Sequence, residues 1–364
     1  MLNAVSPMTF LFLLAGLLLL ASGAELLVRG AARLASRFGI SPLVTGLTVV
    51  AFGTSAPETA VSVQAAVAGR GDLAIGNVVG SNIANVLLIL GLTALIAPLA
   101  VSRQLIRLDV PIMIGASLAV FALARDGELG RFDGALLVAA VVIYTLFLIL
   151  QSRKDAGSAG DEFGVEFGRP EPSGRHAWAR DLLLLLTGLA LLVGGASLLV
   201  EGAVQLARAL GFSELVIGLT VVAVGTSLPE LATSLIAAFR GQRDIAVGNI
   251  VGSNIFNLLC VLGLSALASP MALSVSPNLL AFDFPVMIAV AVACLPVFFA
   301  GYRISRWEGL LFLAYYLAYT SYLVLFSVGL PQAGILGHAL LGYALPLTAV
   351  TLLVLAGNAW RRQR

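Results

Sequence analysis

The sequence predicts an all-α polytopic membrane protein built of two inverted-topology five-helix repeats plus one extra C-terminal transmembrane helix. Three observations predict it. Of 364 residues, 59% are hydrophobic and only 11% are charged. Apolar runs of about 20 residues recur along the chain, each long enough to cross hydrocarbon as a helix. Segments of the first half return in the second half 172 residues later. The runs are continuous rather than short and alternating, which argues against spanning strands.

The elements follow in order. Spanning helices are expected at about 9–28, 42–67, 73–97, 106–124 and 133–151, then at about 180–200, 214–239, 245–268, 279–300 and 306–328. A last one, at about 334–357, has no counterpart in the first half. The first run could pass for a signal peptide. No positive charge precedes it, however, and GAELLVRGAARLA (Gly23–Ala35) returns as GASLLVEGAVQLA (Gly195–Ala207). A segment that belongs to the repeat unit is expected to be retained. The organisation is therefore a first repeat over 1–151, a linker over 152–178, a second repeat over 179–328, and an extra helix with a basic tail over 329–364. The linker is rich in Gly, Pro, Ser and mixed charge and reads as a flexible cytoplasmic connection. Its Asp161, Glu162 and Glu166 lack the spacing of a calcium loop.

Five helices are an odd number, so the second repeat must enter the membrane from the opposite side. With the N-terminus outside, the inside segments carry 17 of the 21 Lys and Arg residues, and only Arg70, Arg125, Arg131 and Arg208 lie outside. Positive charge concentrates on the cytoplasmic side, so the N-terminus is expected outside and the C-terminus inside.

Two motifs place acids at membrane depth. GLTVVAFGTSAPETAVS (Gly46–Ser62) and GLTVVAVGTSLPELATS (Gly218–Ser234) agree at 13 of 17 positions and carry Glu58 and Glu230. A charge there costs on the order of 2.5–3.5 kcal/mol on insertion scales, which makes it a functional-site hypothesis by default. Pro57 lacks an N–H and its ring collides with the carbonyl of Gly53, so the helix should break between them; Pro229 and Gly225 repeat this. Carbonyls freed in hydrocarbon need a partner, and a cation is one. Thr54 and Glu58 are four apart and would share a helix face, as would Thr226 and Glu230; Ser55 and Ser227 lie between.

Each motif has a companion: GNVVGSNIAN (Gly76–Asn85) and GNIVGSNIFN (Gly248–Asn257). These bring Ser81 with Asn85 and Ser253 with Asn257. Gly76, Gly80, Gly248 and Gly252 have the small-xxx-small spacing that lets helices approach closely. The donor set is all oxygen, with no His or Cys, and suits calcium or sodium; magnesium holds its waters more firmly.

Other polar residues have structural readings. Asp109 and Asp283 each stand two residues before a proline and read as helix N-caps. Glu25 and Arg29 read as an interfacial ion pair. Asn77 and Asn249 read as helix-start or packing residues. His176 and His338 have no companions for a metal or catalytic site, and Cys260 and Cys294 read as free thiols packed in apolar spans.

The GTSAPE and GTSLPE segments with both GSN segments resemble the two alpha repeats of the calcium/cation antiporter family, which includes sodium/calcium exchangers. The likeness covers about residues 9–328. It implies cation ligation by Thr54, Ser55, Glu58, Ser81 and Asn85 with the carbonyl of Ala51, and by Thr226, Ser227, Glu230, Ser253 and Asn257 with the carbonyl of Ala223. In that family calcium sits between the two acids and sodium occupies overlapping sites. There are two departures: some prokaryotic relatives carry Asp where this chain has Asn257, and the helix beyond about 330 lies outside the ten-helix core.

The expectation is thus an ion transporter, not an enzyme, since no His, Cys or Lys base stands near Ser55 or Ser227. It would exchange calcium for sodium, with proton/calcium exchange and a potassium-dependent antiporter as alternatives and a cation channel as a different class. The expected setting is a prokaryotic plasma membrane. The partners are calcium and sodium ions and the lipid bilayer; neither a cofactor nor a nucleic-acid partner is expected.

Overall fold

The computed structural model describes residues 6–156, 177–210, 223–299 and 301–344, with 346 and 350 besides. The linker acids, His176, residues 214–222 of the seventh expected helix and the basic tail lie outside the described residues. The described chain is almost wholly helical. Eight helices are long and apolar enough to cross a membrane, with shorter apolar ones at Pro42–Thr54 and Leu228–Phe239.

Helix α1 (Pro7–Phe38) starts where Ser6 Oγ accepts the Met8 N–H at 3.2 Å, with Pro7 in the first turn. It overruns the expected end at 28. Hydropathy drops at Glu25 and Arg29, but no residue stops the backbone until Gly39, which takes a left-handed φ of 63°. Glu25 pairs with Arg29 as expected and also accepts from Arg240 at 2.6–3.0 Å.

The expected helix 42–67 is two helices, α2 (Pro42–Thr54) and α3 (Ala56–Val67), broken at Ser55 with φ −80° and ψ 11°. The break falls inside the predicted Gly53–Pro57 window. Then come α4 (Gly71–Ile96), α5 (Leu105–Asp126) and α6 (Arg131–Ala156). The second half gives α7 (Ala177–Ala209), α8 (Ala223–Gly225), α9 (Leu228–Phe239), α10 (Arg243–Ala268), α11 (Leu279–Phe299) and α12 (Arg306–Ser327). The extra segment begins as α13 (Gln332–Ala339) and passes into a π turn, Leu340–Ala344.

Among the described residues four two-residue strands stand in the loops. Leu99–Ala100 pairs antiparallel with Arg303–Ile304, and Glu128–Leu129 with Leu273–Ser274. Each pair ties a loop of one half to a loop of the other. Burial separates an inner from an outer layer: 72% of the α4 span and 83% of the α10 span are buried, against 28% for α6 and α7.

Helices α1 and α7 lie antiparallel on a glycine seam. Gly16 meets Gly195 and Gly23 meets Gly188, while Gly30 packs on Asp181 and Leu185 and Gly202 on Leu13; the glycines of each helix are spaced by seven residues. A Cβ on Gly23 would lie 2.7 Å from the Leu192 nitrogen, and one on Gly195 would lie 2.8 Å from the Leu20 nitrogen. Such distances are closer than real contacts permit, so only glycine allows the two backbones to meet. Gly248 and Gly252 do the same for α10 against α2, where a Cβ would meet the Leu43 and Leu47 carbonyls at 2.8 and 2.6 Å.

The N-cap reading of Asp109 and Asp283 is corrected. Asp109 has helical φ −75° and ψ −41° and caps nothing. A π turn precedes each proline (Leu105–Asp109, Leu279–Asp283), so the helix runs on through the position where a start was expected. Asp109 Oδ1 accepts from Tyr144 at 3.0 Å and Asp283 Oδ1 from Tyr319 at 2.9 Å, joining α5 to α6 and α11 to α12.

Gly195→Ala should destabilise the protein by about 1–3 kcal/mol through overpacking. Gly194→Ala, next in sequence but with no described heavy atom within 4 Å of its would-be Cβ, should be nearly silent. Thermal melting of the detergent-solubilised protein checks the contrast.

Candidate cation site

The two breaks place the site. At each, the helix ends just before a proline and restarts with the glutamate in its first turn. That places each carboxyl beside backbone N–H groups at a positive helix end. Glu58 and Glu230 are both 0% exposed, and their carboxyl groups interact electrostatically.

The hydroxyls do not serve their own half. Ser227 Oγ donates to Glu58 Oε1 at 3.2 Å, and Ser55 Oγ donates to Glu230 Oε1 at 3.1 Å. Thr226 Oγ1 is buried beside Glu58, while Thr54 and Ser253 stand beside Glu230. The expected shared face of Thr54 with Glu58 is thereby replaced by a crossed arrangement. The break at Ser55 ends the helical register on which the i,i+4 argument relied.

Each glutamate spends one oxygen on the crossed bond. The second, Oε2, is buried without a hydrogen-bond partner in both residues. Ser81 Oγ, Asn85 Oδ1, Ser253 Oγ and both amide atoms of Asn257 are likewise buried without partners. Ser81, Asn85 and Asn257 sit on α4 and α10 and make no hydrogen bond to either carboxylate. Asn85 and Asn257 each open a π turn, Asn85–Leu90 and Asn257–Val261. Unpaired buried polar atoms are costly and rare, so a concentration of them on the predicted ligands calls for a partner.

The carbonyls differ between halves. Ala51 accepts the Ser55 N–H at 3.0 Å and the Thr54 hydroxyl at 3.4 Å. In the second half the Ser227 N–H goes to the Val224 carbonyl at 3.1 Å.

Asn77 and Asn249 buttress the broken helices. Asn77 donates to the Glu58 carbonyl at 3.4 Å and to Ser62 at 2.9 Å. Asn249 donates to the Glu230 carbonyl at 3.4 Å and to Ser234 at 3.1 Å, and accepts from Thr54 at 3.2 Å. Sequence reasoning passed over Asn82 and Asn254, the asparagines of the GSN motifs. Both are buried, and Asn254 accepts from Asn85 at 3.0 Å. Their duplication at the same motif position was the available signal.

Among the described residues no group of three or more His, Cys, Asp or Glu gathers. Two carboxylates amid neutral oxygens can balance a divalent ion or take the hydration shell of monovalent ones, and the donors are those of a hard cation.

A family model described as "Sodium/calcium exchanger protein" matches residues 8–150 and 181–325. The chain is 37% identical over 340 residues to the "Sodium/calcium exchanger MaX1" of Methanosarcina acetivorans, covering 85% of this chain and 97% of that one. It is 40% identical over 282 residues to the "Inner membrane protein YrbG" of Escherichia coli, covering 77% and 85%. A solved structure of the sodium-calcium exchanger NCX_Mj, soaked with 10 mM Na+ and 10 mM Sr2+, is 33% identical with a TM-score of 0.71 and covers 85% of this chain and 96% of that one.

Ser55→Ala and Ser227→Ala should each leave a second buried carboxylate oxygen unpaired and lower stability by about 1 kcal/mol, the range found for hydrogen bonds inside membranes. Denaturation of the purified protein in mixed micelles measures it.

Proposed function

The chain belongs to the sodium/calcium exchanger protein family and is a multi-pass membrane transporter that exchanges cations; from that premise we propose that it exports calcium in exchange for sodium by alternating access. Glu58 and Glu230 hold one calcium or several sodium ions in turn. Thr54, Ser55, Ser81, Asn85, Thr226, Ser227, Ser253 and Asn257 and the carbonyls of Ala51 and Ala223 complete the ligand set. One observation carries the reading: each fully buried glutamate keeps one oxygen on the opposite half's serine and leaves the other without a partner.

Exchange follows from competition. An empty, doubly charged site is costly to carry through the low-dielectric centre, so one cation leaves as another arrives. The moving part is the α1–α7 pair. The glycine seam binds these helices to each other, while apolar residues such as Leu14, Leu18, Leu183 and Leu186 on their outer faces are exposed. A pair so built slides as one body along the core. The halves form an inverted pair, with the N-terminus outside and the C-terminus cytoplasmic, in a prokaryotic plasma membrane; the 17-to-4 bias of positive charge supports that orientation.

The second reading is proton coupling. No basic side chain hydrogen-bonds either glutamate among the described residues, and a carboxylate is itself a proton acceptor.

Glu58→Gln and Glu230→Gln should each cut calcium flux at least about tenfold while the protein remains folded, because a coordinating charge is lost. Calcium uptake into proteoliposomes reads this, and wild-type flux in either variant refutes the site. An imposed sodium gradient should drive uptake and a proton gradient alone should not; the reverse result assigns the proton as the coupling ion.

A further inference from the structure

The two GSNxxN motifs differ in their surroundings. Asn85 and Asn254 are 1% and 2% exposed, and Met113 on α5 is 1% exposed. Asn254 donates its amide N–H to Met113 Sδ at 3.4 Å. It accepts the Asn85 amide N–H on its own Oδ1 at 3.0 Å. Asn85 Oδ1 is left buried and unpaired.

The order of these bonds has a chemical direction. A thioether sulfur accepts hydrogen bonds and never donates. The amide nitrogen of Asn254 must therefore face Met113, since its oxygen would meet the sulfur lone pair to lone pair. That turns Asn254 Oδ1 toward Asn85, which in turn must present its nitrogen. The only end of Asn85 then left over is oxygen, the atom a cation needs.

The other half lacks this chain. Asn82, the counterpart of Asn254, donates to the Asn254 carbonyl at 3.2 Å and to Met287 Sδ at 3.9 Å, and its Oδ1 is unpaired. Neither amide atom of Asn257 has a partner. Met287 thus stands where Met113 does, but nothing passes its polarity on to Asn257.

We propose that Met113 and Asn254 are positioning residues: a Met113–Asn254–Asn85 relay fixes the amide of Asn85 so that its oxygen, and not its nitrogen, is presented to the transported cation. The inference rests on the reading of Asn85 as a cation ligand. The relay acts on binding, since it sets the direction of a dipole without moving a helix. Outer partners that orient a metal ligand are commonly worth 10–100-fold in affinity. The relay is a neutral version of that arrangement.

The test is calcium uptake into proteoliposomes, with KM and maximal rate determined for the wild type and five variants. Met113→Leu conserves volume and removes only the acceptor. It should raise KM by roughly 3- to 10-fold and leave the maximal rate within about twofold, the low end of the effect expected for an outer partner. Asn254→Leu should raise KM by on the order of 10-fold or more. Met287→Leu should change neither quantity. Asn85→Ala should raise KM, and Met113→Leu added to Asn85→Ala should add nothing further. An unchanged KM in Met113→Leu, an equal effect of Met287→Leu, or a multiplying effect in the double variant overturns the relay while the cation site stands. A wild-type KM in Asn85→Ala refutes Asn85 as a ligand and the relay with it. Failure of the wild type to take up calcium refutes the exchanger reading itself. Should Asn254→Leu fail to fold, the methionine pair decides alone.

Discussion

Two buried carboxyl groups, Glu58 and Glu230, set the terms for everything around them. The cost is several kcal/mol per charge in hydrocarbon, and among the described residues no arginine or lysine hydrogen-bonds either acid to offset it. The fold answers with neutral groups. Serines from opposite halves each give one hydrogen bond, and both broken helices aim their starts at the acids. The crossing matters. Because Ser55 serves Glu230 and Ser227 serves Glu58, neither half can complete its own acid. The site exists only at the interface, and α4 and α10 must be the most buried spans to keep lipid away from it.

The same constraint explains where the backbone is irregular. Non-helical backbone at membrane depth survives only when protein covers it. The break at Ser55 lies among α7, α9 and α10, and the glycines of α10 bring that helix onto the carbonyls of Leu43 and Leu47 just before the break. Four of the π turns fall in corresponding places, at Asn85 and Asn257 and before Pro111 and Pro285. A wide turn lets a polar residue or a proline sit in a spanning helix without ending it.

Much of this was legible in the residues, and what was missed shares a cause. Apolar length located the spans, and the proline rule placed the break at Ser55, because both depend on local chemistry alone. The start assigned at Asp109 failed because an Asp followed by a proline is a start signal only if the preceding turn is not already helical. A π turn leaves no mark in hydropathy. The pairing of Thr54 with Glu58 failed because helical spacing was carried across the very break that the proline predicts. Asn254 was overlooked because its partners, Met113 and Asn85, are distant in sequence, and a thioether acceptor has no motif.

The halves are alike in sequence at the acids and unlike around them, and the extra segment follows that difference. Between α5 and α6 lies an apolar groove of about 530 Å³ lined by Ile112, Ala116, Ala140, Tyr144 and Leu259 among others. Between α11 and α12 the corresponding wall, with Leu87, Val286, Val290, Tyr315 and Tyr319, is closed by Leu340 to a space of about 10 Å³. The segment after α12 is held there by Tyr315, which donates to the Ala344 carbonyl at 2.9 Å, and by Gly337 against Tyr322. Bulk differs at matching positions, Ala140 against Tyr315 and Ala116 against Val290, so the second groove has a tyrosine hydroxyl to offer where the first has a methyl. The carbonyl of Ala344 is therefore held at the second groove, and no such donor stands at the matching position of the first. Among the described residues the added helix thus stands beside the Tyr319–Asp283 bond of the second half, and the equivalent Tyr144–Asp109 bond rests on α5 and α6.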